Sequence, residues 1–433
     1  MRKQNLIFVV LLLFTFFSCK KEDNELPEKA KKGMLISNEG GFNKNNGSVS
    51  FFNTDSLEVI NDYFKIVNKR PLGDVVQSVS VHNNKAYIVV NNSQKVEVVD
   101  IETFNSIATI TGVSYPRYFL GIDNNKGYLT NGNMKGNVYV IDLNTYKITD
   151  SITVGNGPEY LLKTGDYVYV ANSGGWIFDS TVSVIDVNTN KVTNTIKVGD
   201  CPVDMVVDKD NNVWVLCKGR VEYDWNTFSI INETPSKIVK INTLTKKVDK
   251  EILIGEVGDY YNPYRIAIGK DLGTIYFTEN GGVYSFNINA DENSISKIIS
   301  KNFYGLEVNP ADGNIYGLFA PGFDVQGYLF RYNDKGALID SFEVGIGPNG
   351  GVFIEWWWFK QIKKAAKKML PFLYLLIKIY NKVKETVTPA VTIDTILISL
   401  ISMLRLGPEV SLKGSPTVSP ITAALWALLP LPP

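Results

Sequence analysis

The feature that most constrains the fold of this chain is a repeat of about 40 residues in its central region. Three repeats are KAYIVVNNSQKVEVVDIETFNSIATI (85–110), KGYLTNGNMKGNVYVIDLNTYKITDSITV (126–154) and DYVYVANSGGWIFDSTVSVIDVNTNKVTNTIKV (166–198). An aromatic residue marks the same position in six units: Tyr87, Tyr128, Tyr169, Trp214, Tyr276 and Tyr316. Within each unit apolar and polar residues alternate, which is typical of half-buried strands and not of helices.

Four short strands per unit at this period predict a β-propeller, whose blades surround a central channel. We expect full blades at 76–111, 117–153, 159–198, 202–254, 264–300 and 304–343. Residues 33–66 supply three further strands and residues 350–354 supply one, which together complete a composite closing blade. The prediction is therefore an all-β fold without helices, a seven-bladed β-propeller over residues 33–355. Closure by both ends leaves no open sheet edge.

The composition excludes several classes of function. The 44 basic residues balance the 44 acidic ones, so no excess of positive charge is present to attract nucleic acid. The single histidine, His82, lies in a short turn, which excludes a multi-histidine metal centre and disfavours Ser-His-Asp catalysis. The three cysteines cannot form a zinc ribbon. We expect neither a metal nor a cofactor.

The N-terminus has the pattern of a lipoprotein signal peptide over residues 1–18. Arg2 and Lys3 precede an apolar run, Leu6 to Phe17, that is too short to span a bilayer as a helix. Ser18-Cys19 resembles a bacterial lipobox, which implies that Cys19 is acylated. The alternative is an ordinary signal peptide with a chance cysteine. Residues 19–32 are charged and are predicted to form a flexible tether.

The two faces of the predicted propeller differ in their connections. The turns on one face are short and rich in Asn, Asp and Gly, which suit tight turns and need no other role. The loops on the opposite face are longer and rich in aromatic residues, which is typical of a binding surface on a rigid scaffold. We predict that ligand-binding residues come from these loops and from the first residues of the innermost strands. They are Phe42, Arg70, Tyr115, Arg117, Tyr118, Glu159, Tyr160, Trp176, Phe178, Arg220, Tyr223, Trp225, Tyr260, Tyr261, Tyr264, Arg265, Tyr304 and Phe323.

The segments YVYVAN (167–172) and VSVIDVNTNKVTNTIKVG (182–199) resemble those of YVTN-type propellers. The cluster after the lipobox (Lys21, Glu22 and Asp23) resembles the surface-export signal of Bacteroidetes lipoproteins. Lipobox, tether and propeller together resemble the Bacteroidetes surface lipoproteins that capture vitamin B12 for a TonB-dependent transporter. The resemblance implies a cobalamin or other corrinoid ligand, a transporter partner, and lipid anchoring at the outer face of the outer membrane.

Two other functions fit the same residues. A glycan- or protein-binding surface adhesin would also use aromatic and polar loops. A propeller lyase or hydrolase would need paired carboxylates, for which Glu159, Asp204 and Glu279 are the candidates. The prediction of a non-enzymatic binding protein therefore stands beside both of these alternatives.

Two further features of the sequence are left open. Cys201 and Cys217 flank one predicted hairpin and fall nearly opposite each other, so they could form a disulfide. Residues 356–433 are basic and hydrophobic, with ten Lys or Arg and three Asp or Glu, and they are not needed to complete the ring. This tail fits a membrane-seeking segment, a partner-docking extension, or poorly ordered sequence produced by a read-through, frame error or fusion.

Overall fold

The computed structural model describes residues 32–258, 263–289 and 294–355, which form seven four-stranded antiparallel sheets. The chain begins with β1 (Lys32–Asn38), β2 (Ser48–Asn53) and β3 (Glu58–Ile60), followed by helix α1 (Tyr63–Asn68). Blade 1 contains β4 (Val76–His82), β5 (Lys85–Val90), β6 (Lys95–Asp100) and β7 (Ser106–Ile110). Blade 2 contains β8 (Pro116–Gly121), β9 (Lys126–Asn131), β10 (Asn137–Asp142) and β11 (Lys147–Thr153). Blade 3 contains β12 (Pro158–Thr164), β13 (Tyr167–Asn172), β14 (Thr181–Asp186) and β15 (Lys191–Lys197).

The remaining blades follow the same plan, with one insertion. Blade 4 contains β16 (Pro202–Val207), β17 (Val213–Cys217), β20 (Lys237–Asn242) and β21 (Lys247–Leu253), and it is interrupted by a hairpin of β18 (Arg220–Tyr223) and β19 (Ile230–Thr234). Blade 5 contains β22 (Ile266–Ile268), β23 (Thr274–Glu279), β24 (Gly282–Asn287) and β25 (Ser296–Ile299). Blade 6 contains β26 (Gly305–Val308), β27 (Ile315–Phe319), β28 (Gln326–Tyr332) and β29 (Leu338–Ile346). The last strand is β30 (Pro348–Glu355).

Blade 7 is composite, as the sequence predicts. Strand β30 pairs antiparallel with β1, from Lys32 opposite Glu355 to Asn38 opposite Pro348, and the sheet order is β3-β2-β1-β30. Strand β30 is therefore the innermost strand of this blade, and it lines the central channel together with β4, β8, β12, β16, β22 and β26. The seven-bladed β-propeller is confirmed.

The aromatic residues that mark the repeat form the core between blades. Tyr87, Tyr128, Tyr169, Trp214 and Tyr316 are fully buried. The ring of Tyr87 in blade 1 stacks on Phe119 of blade 2 at a centroid distance of 3.9 Å, so the marker residue of one blade packs against its neighbour. Burying a large aromatic ring stabilises the fold by about 2 kcal/mol or more. The period of the sequence therefore follows from inter-blade packing.

The expectation of a helix-free chain is wrong at one place. A strand predicted to continue to Ile66 ends at Ile60, and α1 follows it. This helix buries Tyr63 and Phe64, and the Tyr63 ring stacks on Phe104 of blade 1 at 4.3 Å. The outermost strand of blade 7 is only three residues long, so the helix supplies the apolar cover that a longer strand would provide. A helix of six residues is too short to give a clear periodic signal.

Several predictions lie outside the described residues. They are the signal peptide, acylation of Cys19, nearly all of the tether, ligand binding by Tyr260 and Tyr261, and the character of the tail at 356–433. Within the described ranges, no helix is long and apolar enough to cross a membrane.

Candidate binding site at the channel mouth

The face with the longer loops contains a cavity of about 410 Å³ at the mouth of the channel, which we call the mouth cavity. Eight of the predicted ligand-binding residues line it: Phe42, Arg117, Tyr118, Glu159, Tyr264, Arg265, Tyr304 and Phe323. Five further residues complete the lining: Glu39, Gly40, Val75, Gln77 and Val203. The site therefore brings together residues from blades 1 to 7 whose positions in the sequence are far apart.

Irregular pairing at the start of the innermost strands directs side chains into the mouth. The register between β8 and β9 shifts after Pro116, and that between β12 and β13 shifts after Pro158. Proline has no amide to donate at this position, and a bulge re-aims the side chain that follows it. Arg117 and Glu159, which come next in the sequence, therefore face the cavity.

The polar side of the mouth cavity is an ion pair between neighbouring blades. Arg117 Nε lies 3.0 and 2.9 Å from the two carboxylate oxygens of Glu159, and its Nη1 donates to Gln77 Oε1. Burial acts to lower the pKa of the Arg117 guanidinium, but the charge and hydrogen bonds of Glu159 outweigh burial and raise it. Both charges are thus paired with each other within the protein.

A second polar group on the mouth is centred on Glu39, which the sequence analysis did not select. Its carboxylate accepts hydrogen bonds from Tyr304 Oη at 3.1 and 3.2 Å and from Asn349 Nδ2 at 2.8 Å. Glu39 directly follows β1, whereas Asn349 is the second residue of β30 and Tyr304 precedes β26. These contacts therefore connect the composite blade to blade 6 at the rim.

Arg265 lies at the base of the mouth cavity, where all of its guanidinium nitrogens are hydrogen-bonded. Nε and Nη2 donate to the carbonyl oxygen of Asn349 at 3.0 and 2.7 Å, and Nη1 donates to Tyr118 Oη at 3.2 Å. Burial acts to lower the pKa of Arg265, but the nearby Tyr118 and Asp204 oxygens raise it overall. Arg265 is therefore a permanently charged group held across the width of the channel.

The opposite wall of the mouth cavity is aromatic. The Tyr304 ring packs edge-on against Tyr264 at 6.2 Å and against Phe323 at 5.7 Å. Phe42 and Phe323 expose 68% and 47% of their surfaces, so their faces are open to a ligand. Lys218 Nζ lies 4.9 Å from the Tyr264 ring centroid, as in a cation–π contact. An aromatic wall opposite a hydrogen-bonded ion pair suits a ligand with apolar faces and polar edges.

Below the mouth lies a second cavity of about 470 Å³, which we call the channel cavity. Gln77, Tyr118 and Arg265 line both cavities and so separate them. Tyr160, predicted as a mouth residue, lines the channel cavity, where its ring packs edge-on against Tyr118 at 5.2 Å. Asp204 also lines this cavity.

Two carboxyl groups of the channel cavity have raised pKa values. Burial raises the pKa of Asp204 to about 6 and that of Glu307 to about 7, and the two charges also repel each other. Glu279, named for the enzyme alternative, is buried and accepts a hydrogen bond from Ser236 Oγ at 3.1 Å, and it does not line either cavity. The only candidate carboxylate of that alternative in the channel cavity is therefore Asp204.

A smaller pocket of about 220 Å³ lies between the 173–180 loop and the inserted hairpin, and we call it the hairpin pocket. It is lined by the predicted residues Phe178 and Tyr223. Arg220 forms an ion pair with Asp200 at 3.6 Å, and its guanidinium lies 5.4 Å from the Phe178 ring centroid. These three predicted residues therefore belong to a location separate from the mouth cavity.

Four other predicted residues do not line the mouth cavity. Arg70 pairs with the buried Glu97 at 2.6 Å and donates to Ser106, which fixes it against the outer strands of blade 1. The side chains of Tyr115, Trp176 and Trp225 are exposed on the loop face, by 47%, 82% and 80%. Arg70 was selected because it lies in a loop, but its long side chain reaches Glu97 and Ser106 in blade 1.

Cys201 and Cys217 are free thiols in the structure, and both are buried. Burial raises the pKa of Cys201 to about 11 and also raises that of Cys217, so neither is a reactive thiolate. Strand pairing places Cys217 opposite Pro202, one residue beyond Cys201, in agreement with the predicted proximity. The disulfide considered from the sequence is not present.

Gln77 and Glu39 are the principal residues that the sequence analysis missed. Gln77 is the second residue of β4, equivalent to Arg117 in β8 and Glu159 in β12. Its position within the repeat could have identified it. However, it follows Val76, whereas Arg117 and Glu159 each follow a proline that marks the position. Glu39 has no comparable signal in the sequence.

Residues 32–343 match the family model described as Domain of unknown function (DUF5074). The chain belongs to this family. In this DUF5074 protein, no group of three or more His, Cys, Asp or Glu side chains among the described residues could hold a metal ion. A search of curated proteins finds no match.

Solved structures of propeller proteins are similar in fold. A quinonprotein alcohol dehydrogenase-like protein from Bacteroides thetaiotaomicron is 16% identical, with a TM-score of 0.57 over 76% of this chain and 79% of that one. Hydrazine synthase from Kuenenia stuttgartiensis is 14% identical, with a TM-score of 0.51 over 64% and 95% of the two chains. A functionally unknown protein from Desulfotomaculum acetoxidans is 13% identical, with a TM-score of 0.53 over 75% and 99%. At these identities the likeness extends to the fold alone.

Proposed function

We propose that this protein is a non-enzymatic binding protein that takes a large amphipathic ligand at the mouth cavity. The ligand we propose is a corrinoid such as cobalamin. The protein would be anchored through Cys19 at the outer face of the outer membrane and would deliver the ligand to a TonB-dependent transporter. The observation that supports this function is an open aromatic wall opposite the Arg117–Glu159 ion pair, whose charges are already paired within the protein.

The electrostatics of the mouth cavity favour an uncharged ligand. Arg117 and Glu159 pair with each other, and the Glu39 carboxylate accepts hydrogen bonds from Tyr304, so these polar groups already have partners within the protein. A charged ligand would have to be desolvated and would also compete with these contacts, which is costly in a partly buried site. A corrinoid offers apolar ring faces for Phe42 and Phe323 and amide edges that can hydrogen-bond to the polar side.

Size places part of such a ligand outside the cavity. A corrinoid is larger than the 410 Å³ of the mouth cavity, so it would extend over the rim of the loop face. Tyr115, Trp176 and Trp225 are exposed on that face and can provide further apolar contacts. They are therefore secondary contacts, and the mouth cavity is the primary one.

The binding hypothesis is tested by titrating the purified full-length chain with cyanocobalamin, followed by calorimetry and by the absorbance of the corrin ring. We expect saturable binding, weakened at least tenfold by Phe323→Ala, since tenfold corresponds to about 1.4 kcal/mol of lost contact. Leu244→Ala is the matched control, because Leu244 is 94% exposed in the turn between β20 and β21, on the face opposite the mouth cavity. Absence of heat and of any spectral change would exclude a corrinoid.

Anchoring is tested separately from ligand binding. Cells expressing the wild-type chain are labelled with radioactive palmitate and treated with an external protease, beside cells expressing Cys19→Ser. We expect label on the wild type, no label on the variant, and cleavage of the wild type in intact cells. Labelled protein that resists protease until the cells are broken would contradict the surface location.

A glycan-binding adhesin is the second candidate, and the exposed tryptophans support it. Trp176 and Trp225 expose about four-fifths of their surfaces near the hairpin pocket, where sugar rings could stack on them. A glycan array probed with the same chain decides between the two functions. Glycan binding lost in Trp225→Ala, together with no response to cyanocobalamin, would favour the adhesin.

A further inference from the structure

The channel cavity has hydrogen-bonding groups that the mouth cavity does not use. It is about 470 Å³ in volume and is reached through the layer formed by Gln77, Tyr118 and Arg265. Because all seven innermost strands line it, its walls are built from the rigid part of the propeller and not from loops. Its chemistry can therefore be considered independently of the ligand that occupies the mouth.

Gln77 supplies an unused donor to this cavity. Its side chain is 6% exposed, and Oε1 accepts a hydrogen bond from Arg117 Nη1. A guanidinium can only donate, so this contact fixes which end of the amide is the oxygen. Among the described residues, the NH₂ group of Gln77 has no hydrogen-bond partner. Gln77 lines the channel cavity, so a ligand acceptor placed there would give this NH₂ group a partner in place of water.

Asp204 and Glu307 supply unused acceptors. Asp204 is 6% exposed, and its oxygens accept from the backbone amides of Met205 at 2.9 Å and Ile266 at 3.2 Å. Glu307 Oε1 accepts from the Gly351 amide at 3.2 Å, and within the described ranges its Oε2 has no partner. Each carboxylate oxygen can accept two hydrogen bonds, so both groups retain free capacity.

The charges around the channel cavity disfavour an ion of either sign. An anion would face Asp204 and Glu307, and a cation would face Arg265, which is held at the top of the cavity by Asn349 and Tyr118. Either ion would also be removed from water in a buried space. Burial raises the pKa of Asp204 to about 6 and that of Glu307 to about 7, so each group can take up a proton near neutral pH.

We propose that the channel cavity is a second binding compartment for an uncharged group that both accepts and donates hydrogen bonds, such as a primary carboxamide. Its carbonyl oxygen would accept from the Gln77 amide, and its NH₂ would donate to the carboxyl groups of Asp204 or Glu307. The compartment would take a side arm of the mouth ligand or a separate small amide. This inference does not depend on the corrinoid proposal.

Three small probes of similar size and different charge test the compartment: propionamide, propionate and propylammonium. Each is titrated at pH 7 into the full-length chain and followed by ligand-observed NMR. We expect saturable binding of propionamide in the millimolar range, with the two ions at least tenfold weaker. Tighter binding of either ion than of propionamide, or no binding of any probe, would overturn the proposal.

Two variants locate the binding within the channel. Gln77→Glu keeps an oxygen for Arg117 and replaces the free NH₂ by an acceptor, whereas Glu307→Gln keeps an oxygen for Gly351 and replaces an acceptor by NH₂. Each should weaken propionamide at least tenfold. Gln94→Glu, an exposed position outside both cavities, is the matched control and should leave binding unchanged. Propionamide binding that neither folded variant weakens would show that the probe binds elsewhere.

Discussion

The two faces of the propeller use polar side chains in different ways. On the turn face, which joins the first strand of each blade to the second and the third to the fourth, an Asp or Asn caps its own turn. Asp123 accepts from the amides of Asn125 and Lys126, two and three residues later. At the channel mouth on the loop face, the partners come from other blades, as with Arg117 and Glu159 or Glu39 and Tyr304.

This contrast accounts for the position of the mouth cavity on the loop face. A turn whose backbone amides are hydrogen-bonded by its own Asp or Asn can repeat almost unchanged around the ring, because its hydrogen bonds depend only on residues within the turn. Contacts between blades require different residue types at equivalent positions, such as Gln77, Arg117 and Glu159 in three successive blades. The departure from repetition, and not the repeat itself, produces the mouth cavity.

The largest difference that we predict between local contacts and contacts between blades is in how the free energy of unfolding depends on pH. The folded-state pKa values of Asp204 and Glu307 are raised to about 6 and about 7, so the folded chain holds protons that the unfolded chain releases. Raising the pH from about 4 to about 8 should therefore lower the free energy of unfolding. A shift of one pKa unit corresponds to roughly 1.4 kcal/mol, and we reduce the sum for the two groups to about 3 kcal/mol because the surroundings of a buried charge relax. Urea unfolding across this range measures the effect.

An aspartate in a turn is expected to change the stability with pH in the opposite direction. Burial acts to raise the pKa of Asp271, but hydrogen bonds from Gly273 and Thr274 lower it overall, so its contribution is present at neutral pH and is lost on acidification. The double variant Asp204→Asn, Glu307→Gln should flatten the slope between pH 4 and 8, whereas Asp271→Asn should leave that slope above pH 5 intact. A slope that survives the double variant would contradict the assignment.

The next largest effect is expected on breaking the mouth ion pair. Glu159→Ala leaves the Arg117 guanidinium partly buried without its partner, and should lower the free energy of unfolding by about 2 kcal/mol, less than for a fully buried pair. Asp123→Ala on the turn face removes a local cap and should cost less than about 1 kcal/mol. Equal losses in urea unfolding would mean that contacts between blades are no more important than local ones.

The smallest effect concerns a single hydroxyl group. Tyr304→Phe removes the donor to Glu39 and should cost about 1 kcal/mol. Tyr167→Phe is the comparison near the turn face, where the hydroxyl has no hydrogen-bond partner among the described residues, and it should change the unfolding midpoint little. Comparable shifts in the thermal midpoints of both variants would contradict a stabilising role for the Glu39 contact.

The sequence predicted the ring well because its signal is repeated. The alternation within strands and the buried aromatic at each period occur in blades 1 to 6, so an ambiguous segment such as 350–354 could be assigned by analogy with them. The pairing of β30 with β1 confirms that assignment. Helix α1 was missed because it occurs once and is only six residues long.

The site was predicted less completely, since side-chain direction depends on local backbone that has no strong sequence signal. Phe42 and Phe323, selected by loop position, line the mouth cavity, whereas Arg70, selected by the same criterion, pairs with Glu97 in its own blade. The depth of Tyr160 in the channel could not be read from its position next to Glu159. Gln77 becomes recognisable only after the bulge at the start of β4 is seen.

The direct pairing of Lys32 with Glu355 has a mechanical consequence. A pull on the segment that precedes Lys32 would load β1 along its own axis, and β1 is hydrogen-bonded on one side to β2 and on the other to β30. The rupture of that strand would then require many hydrogen bonds to shear together, whereas a strand with one free edge could peel away bond by bond. A ring closed in this way should resist a pull that is applied at its turn face.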